Sequence, residues 1–265
     1  MVLREVVPPG EFFAARSGDS PFAPGELLIP GTALPTPVPA FRFPDVSGEP
    51  EIPFHARVLI DDDTLIAVDK PHFLPATPNG RIVRETVQTR LRRHYGEDVT
   101  VFHRLDRLTA GVLLAVKKPE DRAAYQQLFA RRQVHKRYVA RVHGRLQIDN
   151  WEDISLPLSS VSRRVVVDKH GRPTHTRVRT LQVESGTSVL ELEPTTGFTH
   201  QLRAVCDYVG HPIVGDDTYP ERVPRGLYEF SRPLHLVAQS VRFQDPVGEK
   251  VRTITSFRTL PDRLG

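Results

Sequence analysis

The chain has 265 residues, a formal net charge of +4 at pH 7 and a single cysteine, Cys206. It contains no run of the roughly 20 apolar residues that a membrane span requires. Its start is interrupted by Pro8, Pro9 and Gly10 and lacks the apolar segment of a secretory signal. One cysteine cannot form a disulfide framework or a cysteine-rich zinc site. These features predict a soluble protein of a reducing compartment, the cytoplasm.

Charge and proline are distributed unevenly along the chain. Residues 1–53 carry a balance of −4 and hold 11 of the 24 prolines, whereas the remainder carries +8. Residues 1–53 are therefore predicted to be a proline-rich, acidic N-terminal extension, with extended, polyproline-like chain over 30–44. Its hydrophobic patches at 11–13 and 26–29 are too short for elements of their own. The basic remainder favours a polyanionic partner, most often nucleic acid, although an ordinary basic surface has the same composition.

From residue 57 the pattern becomes regular and predicts one domain over 54–265. It begins with strands at 57–60 and 64–68, a basic amphipathic helix over 84–94, strands at 99–102 and 112–116, and a helix from Pro119. Further strands are predicted at 136–143, 164–168, 176–183 and 188–193, then a helix over 199–209 and strands at 235–243 and 250–255. Many strands and few helices favour an α+β fold with a central mixed, mostly antiparallel sheet flanked by helices.

The loop 103–111, between two predicted buried strands, has the highest density of reactive side chains. In this loop Arg104 and Arg107 flank Asp106, and a nearby guanidinium keeps a carboxylate ionised. A fixed, ionised carboxylate can act as a nucleophile or as a general base. The same aspartate could instead cap the turn or join a structural salt bridge.

A second candidate is the turn and helix start at 195–203. Thr199 is placed to cap the helix, and the free N–H groups of such a helix start favour a phosphate or carboxylate. Arg203 lies in the first helical turn. Cys206 belongs to the apolar stripe of the same helix, so we expect it in the core rather than in catalysis.

The strand at 136–143 carries Tyr138 on the same face as Ala140 and Val142. A tyrosine in this setting is either part of the core or a stacking platform for a base. Basic residues that suit phosphate contacts cluster in and after this region: Arg131, Arg132, Lys136, Arg137, Arg163, Arg164, Lys169, Arg172, Arg177 and Arg179.

Together these segments resemble the RluA-type RNA pseudouridine synthases. The hallmark motif of that family, H-R-L-D-x-x-T-x-G, is matched by residues 103–111. Further blocks follow the family's order at 68–71, 136–144, 196–203 and 210–215, and the resemblance covers about residues 57–258. Phe198 stands where the family usually has arginine, and Ala110 where serine is common.

The resemblance implies a pseudouridine-synthase-like catalytic domain that isomerises uridines in rRNA or tRNA without a metal or another cofactor, and we expect a monomer. It implies that Asp106 is the catalytic carboxylate, that Arg203 pairs with it and that Tyr138 packs against the target base. It places Arg104 near the extruded nucleotide or a phosphate. The other candidates for RNA binding are His103, Thr109, Lys136 and His200.

Two other classes of protein stay open on the sequence. A non-catalytic RNA-binding protein would keep the basic faces without needing both Asp106 and Arg203. A metal-dependent phosphodiesterase would need ligands and would lose activity in a chelator. The residues available as ligands are His103, Asp106, His211 and Asp216, but their spacing matches no metal-binding motif.

Overall fold

A computed structural model describes residues 1–15, 20–23, 25–42, 48–162 and 164–262. The chain divides into two compact units, Met1–Glu49 and Pro50–Gly265. Arg163, one of the predicted phosphate contacts, lies outside the described residues. Within these ranges, no helix is both long enough and apolar enough to cross a membrane.

The first unit forms a small sheet with a core of its own, so the prediction that its hydrophobic patches form no elements is wrong. Its strands are β1 (Val2–Leu3), β2 (Phe12–Ala14), β3 (Leu27–Leu28) and β4 (Val38–Phe41), in the order β1-β4-β2-β3. Phe12 lies opposite Leu28, and both are buried. The apolar patches were too short to predict strands locally, because their pairing partners lie beyond intervening turns.

The second unit is built on an eleven-stranded sheet in the part of the chain that the structure describes. The strands are β5 (Arg57–Asp61), β6 (Leu65–Lys70), β7 (Thr100–Val101), β8 (Ala110–Val116), β9 (His135–His143), β10 (Glu152–Val161), β11 (Arg164–Val167), β12 (Arg172–Glu184), β13 (Thr187–Pro194), β14 (Leu236–Gln244) and β15 (Val251–Thr255). Their order is β11-β10-β12-β13-β9-β14-β8-β6-β5, with β15 beside β14 and β7 beside β8. The pair β8–β14 is parallel and its neighbours are antiparallel. The predicted α+β class is confirmed.

Three α-helices accompany this sheet in the described ranges: α1 (Val87–Tyr95), α2 (Arg122–Ala130) and α3 (Gln201–Tyr208). The hydroxyl of Thr86 accepts from the N–H of Thr89 and caps α1, so that helix begins later than the sequence predicted. At α3 the capping residue is His200, which has left-handed backbone (φ 54°) and makes no side-chain cap. The predicted cap by Thr199 is therefore wrong.

Strand β10 was missed in the sequence, although Ile154, Leu156 and Leu158 alternate along it as a half-buried strand requires. Pro157 lies within this segment, and a proline inside a strand pattern argues against a strand. In the structure Pro157 lies opposite Pro173, so the two residues without an N–H share one position of the ladder.

The apolar core falls into clusters on the sheet, and Tyr138 packs against two of them. One contains Ala140, Leu190 and Leu202 and so joins α3 to the strands. The other contains Leu113 from β8. Tyr138 therefore lies where the two clusters meet.

Gly111 determines how closely the loop 103–111 approaches the sheet. Its φ is +110°, and a Cβ at this position would overlap the backbone of Ala238 on β14. Gly111 and Ala238 are partners in the parallel pair of strands. A side chain here would displace the end of the loop, so glycine is required.

Candidate active site

Asp106 lies in the loop between β7 and β8, and hydrogen bonds from outside the loop hold the residues that follow it. The ammonium group of Lys70 donates to the carbonyl oxygen of Arg107 over 3.1 Å. A ring nitrogen of His72 lies 2.6 Å from the carbonyl oxygen of Leu108. The Asp106 side chain itself is 27% exposed. The loop is thus fixed while its carboxylate stays accessible.

Lys70 is a fully buried cation at the end of β6. Its Nζ also donates to the carbonyl oxygens of Pro71 (3.0 Å) and Leu74 (2.8 Å). Burial lowers the pKa of Lys70 to about 7, and the negative charge of Asp106 acts in the opposite direction. The sequence analysis assigned no role to this lysine. The available signal was a charged pair, Asp69 and Lys70, at the end of a strand that is otherwise apolar.

His103 and Thr109 stand at the two ends of the loop. Nε2 of His103 accepts from the N–H of Leu114 (2.9 Å), and its ring stacks on Phe129. Burial lowers the pKa of His103 to about 3, so the ring is neutral near pH 7. Thr109 is buried, and its N–H donates to the carbonyl oxygen of Asp106 (3.0 Å). These contacts maintain the shape of the loop.

The guanidinium of Arg203 is held by acidic residues from the segment that follows α3. Its Nε and Nη2 bind the two carboxylate oxygens of Asp216 over 2.7 and 2.6 Å. Nη2 also donates to Asp217 (2.8 Å) and to the hydroxyl of Thr218 (2.9 Å). Nη1 lies 3.6 Å from Oδ2 of Asp106. The structure thus brings Asp106 and Arg203 together.

The segment 211–217 has a different role from the one considered in the sequence. Asp216, weighed there as a metal ligand, is bound on both oxygens by Arg203. Nδ1 of His211 lies 2.7 Å from the carbonyl oxygen of His143. Among the residues that the structure describes, no group of three or more histidine, cysteine, aspartate or glutamate residues is placed to hold a metal ion. The acidic residues serve Arg203 instead.

His200 lies between the guanidinium and the catalytic candidate. Its Nε2 is 3.1 Å from Nη1 of Arg203 and 3.8 Å from Oδ2 of Asp106. Burial lowers the pKa of His200. Because a guanidinium only donates, Nε2 accepts and the ring proton lies on Nδ1. A neutral His200 therefore helps to hold Nη1 near Asp106.

Gln201 fixes the turn that precedes α3. Its Oε1 accepts from the N–H of Phe198 (3.1 Å) and the hydroxyl of Thr196 (2.9 Å). Its Nε2 donates to the carbonyl oxygen of His175 and the hydroxyl of Thr176, both over 3.0 Å. The sequence analysis gave this buried amide no role. The sequence signal for such a role was a single glutamine at the start of a helix that also carries apolar residues.

Lys136 and Tyr138 are two residues apart on β9 and so point to the same side of the strand. Nζ of Lys136 donates to the carbonyl oxygen of Thr196 (2.7 Å), and burial lowers its pKa to about 8. Burial and the negative charge of Asp106 raise the pKa of Tyr138. The phenol is therefore protonated, and it can donate a hydrogen bond to a ligand.

These elements enclose a cavity of about 490 Å³, a volume that suits a small organic ligand. We call it the aromatic cavity, after the rings of Phe102, Phe129, Tyr138 and Phe198 in its wall. All the predicted site residues line it: His103, Arg104, Asp106, Thr109, Lys136, Tyr138, His200 and Arg203.

Four of the predicted phosphate contacts are ion-paired instead of lining this cavity. One of them, Arg164, lies 3.2 Å from Asp207. Arg137 and Arg179 both contact Glu191, and Arg177 contacts Glu193 over 3.3 Å. Their positive charge is therefore partly compensated by these carboxylates. Exposed basic side chains at the aromatic cavity come from Arg104, Arg132 and Arg172.

A basic cavity with aromatic walls and one accessible carboxylate defines a site for chemistry on a nucleotide. Residues 64–208 match the model of the RNA pseudouridylate synthase family. The dual-specificity RNA pseudouridine synthase RluA of Vibrio cholerae is 36% identical over 203 residues, which are 74% of this chain and 80% of that protein. The chain belongs to the RluA-type RNA pseudouridine synthase family and is an isomerase that acts on uridine in RNA.

The names of two other relatives specify a class of RNA. The mitochondrial tRNA pseudouridine(32) synthase of Saccharomyces cerevisiae is 30% identical over 62% of this chain and 37% of its own length. The ribosomal large subunit pseudouridine synthase C of Vibrio cholerae is 30% identical over 73% of this chain and 62% of its own length.

A solved structure shares the fold. Human RNA pseudouridylate synthase domain containing 1 superposes with a TM-score of 0.62 at 24% identity, over 79% of this chain and 91% of that one.

Proposed function

We propose that this enzyme converts uridine to pseudouridine in ribosomal or transfer RNA with Asp106 as the catalytic carboxylate. The observation that carries the assignment is the 3.6 Å approach of Arg203 Nη1 to Asp106 at the wall of the aromatic cavity. The names of the relatives, one for tRNA and one for the large ribosomal subunit, support the two classes of RNA.

The reaction breaks the bond between uracil N1 and ribose C1′, rotates the base and joins C5 to C1′. The electron pair of the broken bond stays on the uracil, C5 loses its proton after the new bond forms, and N1 takes one up. Asp106 acts on the ribose, either as a nucleophile at C1′ or as a base. Arg203 lies 3.6 Å from the carboxylate and holds it in place.

Tyr138 packs against the target base in this proposal. Because its raised pKa keeps the phenol protonated, the hydroxyl donates to the uracil instead of acting as a phenolate. It assists proton transfer at C5 as a relay that accepts one proton while it donates another. This role requires only the hydroxyl, so the ring and the hydroxyl can be tested separately.

The other predicted site residues contribute to binding. Arg104 is exposed and occupies space near the extruded nucleotide or holds a phosphate. Lys136 adds a positive charge, and His200 supports the position of Arg203. The remaining two, His103 and Thr109, set the shape of the loop that carries the carboxylate.

The target uridine has to leave its stack to enter the aromatic cavity, at a cost of about a few kcal/mol. This cost is lower in a loop or a bulge, where bases are already unstacked. The reaction is an intramolecular exchange of one bond for another without net oxidation. It therefore needs no redox cofactor. We propose that it proceeds without a metal or another cofactor, and that residues 54–265 act as a monomeric catalytic domain in the cytoplasm, with 1–53 as an N-terminal extension.

The direct test is to incubate unmodified rRNA and tRNA transcripts with the full chain in EDTA and to map pseudouridine by mass-sensitive derivatisation. We expect product from the wild-type enzyme and none from Asp106→Asn. Product only after EDTA is omitted would contradict the metal-free mechanism. Product from the Asp106→Asn enzyme would contradict the assignment of the carboxylate.

A further inference from the structure

A second cavity, of about 640 Å³, shares Asp106, His200 and Arg203 with the aromatic cavity. Its wall is completed by the segments 75–81, 104–108 and 217–227. The described part of this wall contains no phenylalanine, tyrosine or tryptophan. It therefore lacks the large aromatic side chains that line the aromatic cavity. The two cavities meet at the proposed catalytic carboxylate and differ in chemistry.

Arginine dominates the second cavity, which we call the arginine cavity. Its described wall holds two carboxylates, those of Asp106 and Asp217, and Arg203 contacts both of them. The guanidinium groups in the same wall belong to Arg81, Arg104, Arg107, Arg203, Arg222 and Arg225. Positive charge therefore exceeds negative charge at this surface.

Two of these guanidinium groups, those of Arg107 and Arg225, are partly buried. The negative charge of Asp217 acts on both of them. Arg225 is 4% exposed, donates to backbone carbonyl groups, and lies 3.8 Å from Asp217 through Nε. Arg107 donates to the carbonyl oxygen of Leu227 (2.8 Å). Burial lowers the pKa of both guanidiniums. A buried cation that is under-compensated is stabilised by an added anion.

Two further guanidiniums are exposed at the same cavity. The side chains of Arg81 and Arg222 have no hydrogen bond or ion pair to any other described residue. A planar, always charged guanidinium with free donors suits phosphate oxygens. These two residues are therefore available to a ligand, whereas Arg107 and Arg225 already donate hydrogen bonds to backbone carbonyl groups.

We propose that the arginine cavity binds the sugar–phosphate backbone of the RNA strand beside the target uridine, through Arg81 and Arg222. This proposal rests on the proposed function for the position of the uridine in the aromatic cavity. Contacts to phosphates position a nucleic acid without reading its sequence. The arginine cavity thus orients the strand, and the aromatic cavity receives the base.

The test measures the affinity of a fluorescein-labelled, uridine-containing stem-loop RNA for the full chain in an Asp106→Asn background, over a range of salt. The double variant Arg81→Gln, Arg222→Gln is compared with Arg242→Gln, an exposed arginine on β14 that lines neither cavity. We expect the double variant to raise the Kd by about tenfold and to reduce the salt slope by about 0.7 per arginine. We expect the Arg242→Gln variant to match its parent.

An unchanged Kd and slope in the double variant would overturn the proposal, and so would an equal loss in Arg242→Gln, which would indicate a general effect of charge. In the catalytically active background, the double variant is expected to raise KM and to leave kcat unchanged at saturating RNA. The binding measurement uses an inactive variant, so it stands even if the wild-type chain makes no pseudouridine, a result that would overturn only the proposed function. Circular dichroism checks that the variants are folded.

Discussion

The guanidinium of Arg203 is bound more closely to Asp216 than to Asp106. Two contacts of 2.6 and 2.7 Å join it to Asp216, whereas Nη1 is 3.6 Å from Asp106. The side chains of Arg203 and Asp216 are almost fully buried, at 4% and 1% exposure. Asp216 thus fixes the orientation of the guanidinium and leaves Nη1 to face the carboxylate. We therefore propose Asp216 as a positioning residue for the reaction.

Asp216→Asn should lower kcat and leave KM for RNA little changed, because Arg203 loses its charged bidentate partner without any loss of a proposed RNA contact. Breaking a buried ion pair typically lowers the free energy of unfolding by about 3–5 kcal/mol. Because Arg203 keeps its contact with Asp217, we expect a loss near the lower end of that range. Single-turnover kinetics and urea denaturation measure the two effects. The control is Asp207→Asn on α3, which removes a half-exposed pair with Arg164. Full activity in Asp216→Asn would contradict the positioning role.

Asp106→Asn should abolish pseudouridine formation and keep RNA affinity within a few-fold of wild type. Asparagine preserves the size of the side chain but is neither a nucleophile nor a base. The Asp106 side chain is partly exposed, so the thermal midpoint should change little. Mass-sensitive mapping and a binding titration are the measurements. Turnover above a trace would exclude Asp106 as the catalytic carboxylate.

Arg203→Ala should lose both activity and stability. The structure buries Arg203, whose side chain is only 4% exposed. Removing it leaves Asp216 buried without its cation, at an expected cost of about 3–5 kcal/mol.

Arg203→Lys is the companion variant. It keeps the charge but loses the planar fork, so it should recover part of the stability and little of the activity. Denaturation curves for both variants test this, and an alanine variant as stable as wild type would contradict the burial argument.

Tyr138→Phe should fold and bind RNA normally but turn over about a hundredfold more slowly, since the ring remains and only the proposed proton relay is lost. Tyr138→Leu, which also removes the aromatic face, should weaken RNA binding as well. Comparing kcat with the RNA dissociation constant separates the two roles. Wild-type kcat in the phenylalanine variant would show that only packing is needed.

Lys136 should make RNA binding depend on pH near 8. Its pKa of about 8 means that the ammonium loses its charge as the pH rises through that value, so affinity should fall. Lys136→Gln should lack this step.

The effect of Lys136 on stability has the opposite sign. The unfolded pKa is near 10.5, so between about pH 8 and 10.5 the unfolded chain binds more protons, and stability should rise with pH across that window. Binding titrations and denaturation at matched pH values measure both trends. A wild-type affinity that is flat from pH 7 to 9 would contradict the contribution of this cation to binding.

Prediction from the sequence worked best where the pattern is local. The alternation along 136–143 and 188–193 predicted β9 and β13, because the side-chain period of a strand is visible in a few residues. It failed for β10, where Pro157 contradicts the pattern and is tolerated only opposite Pro173. It failed also for β2 and β3, whose pairing partners are not adjacent in the chain.

The sequence by itself pointed to the residues proposed for catalysis, because Asp106, Tyr138 and Arg203 lie within short motifs that can be read without the fold. Only the tertiary structure decided how they are held. The contacts from Lys70 to the 103–111 loop and from Asp216 to α3 join segments that are distant or separated by turns. Such contacts depend on burial, which removes competing water and strengthens the electrostatic attraction, and no local pattern of residues specifies that burial.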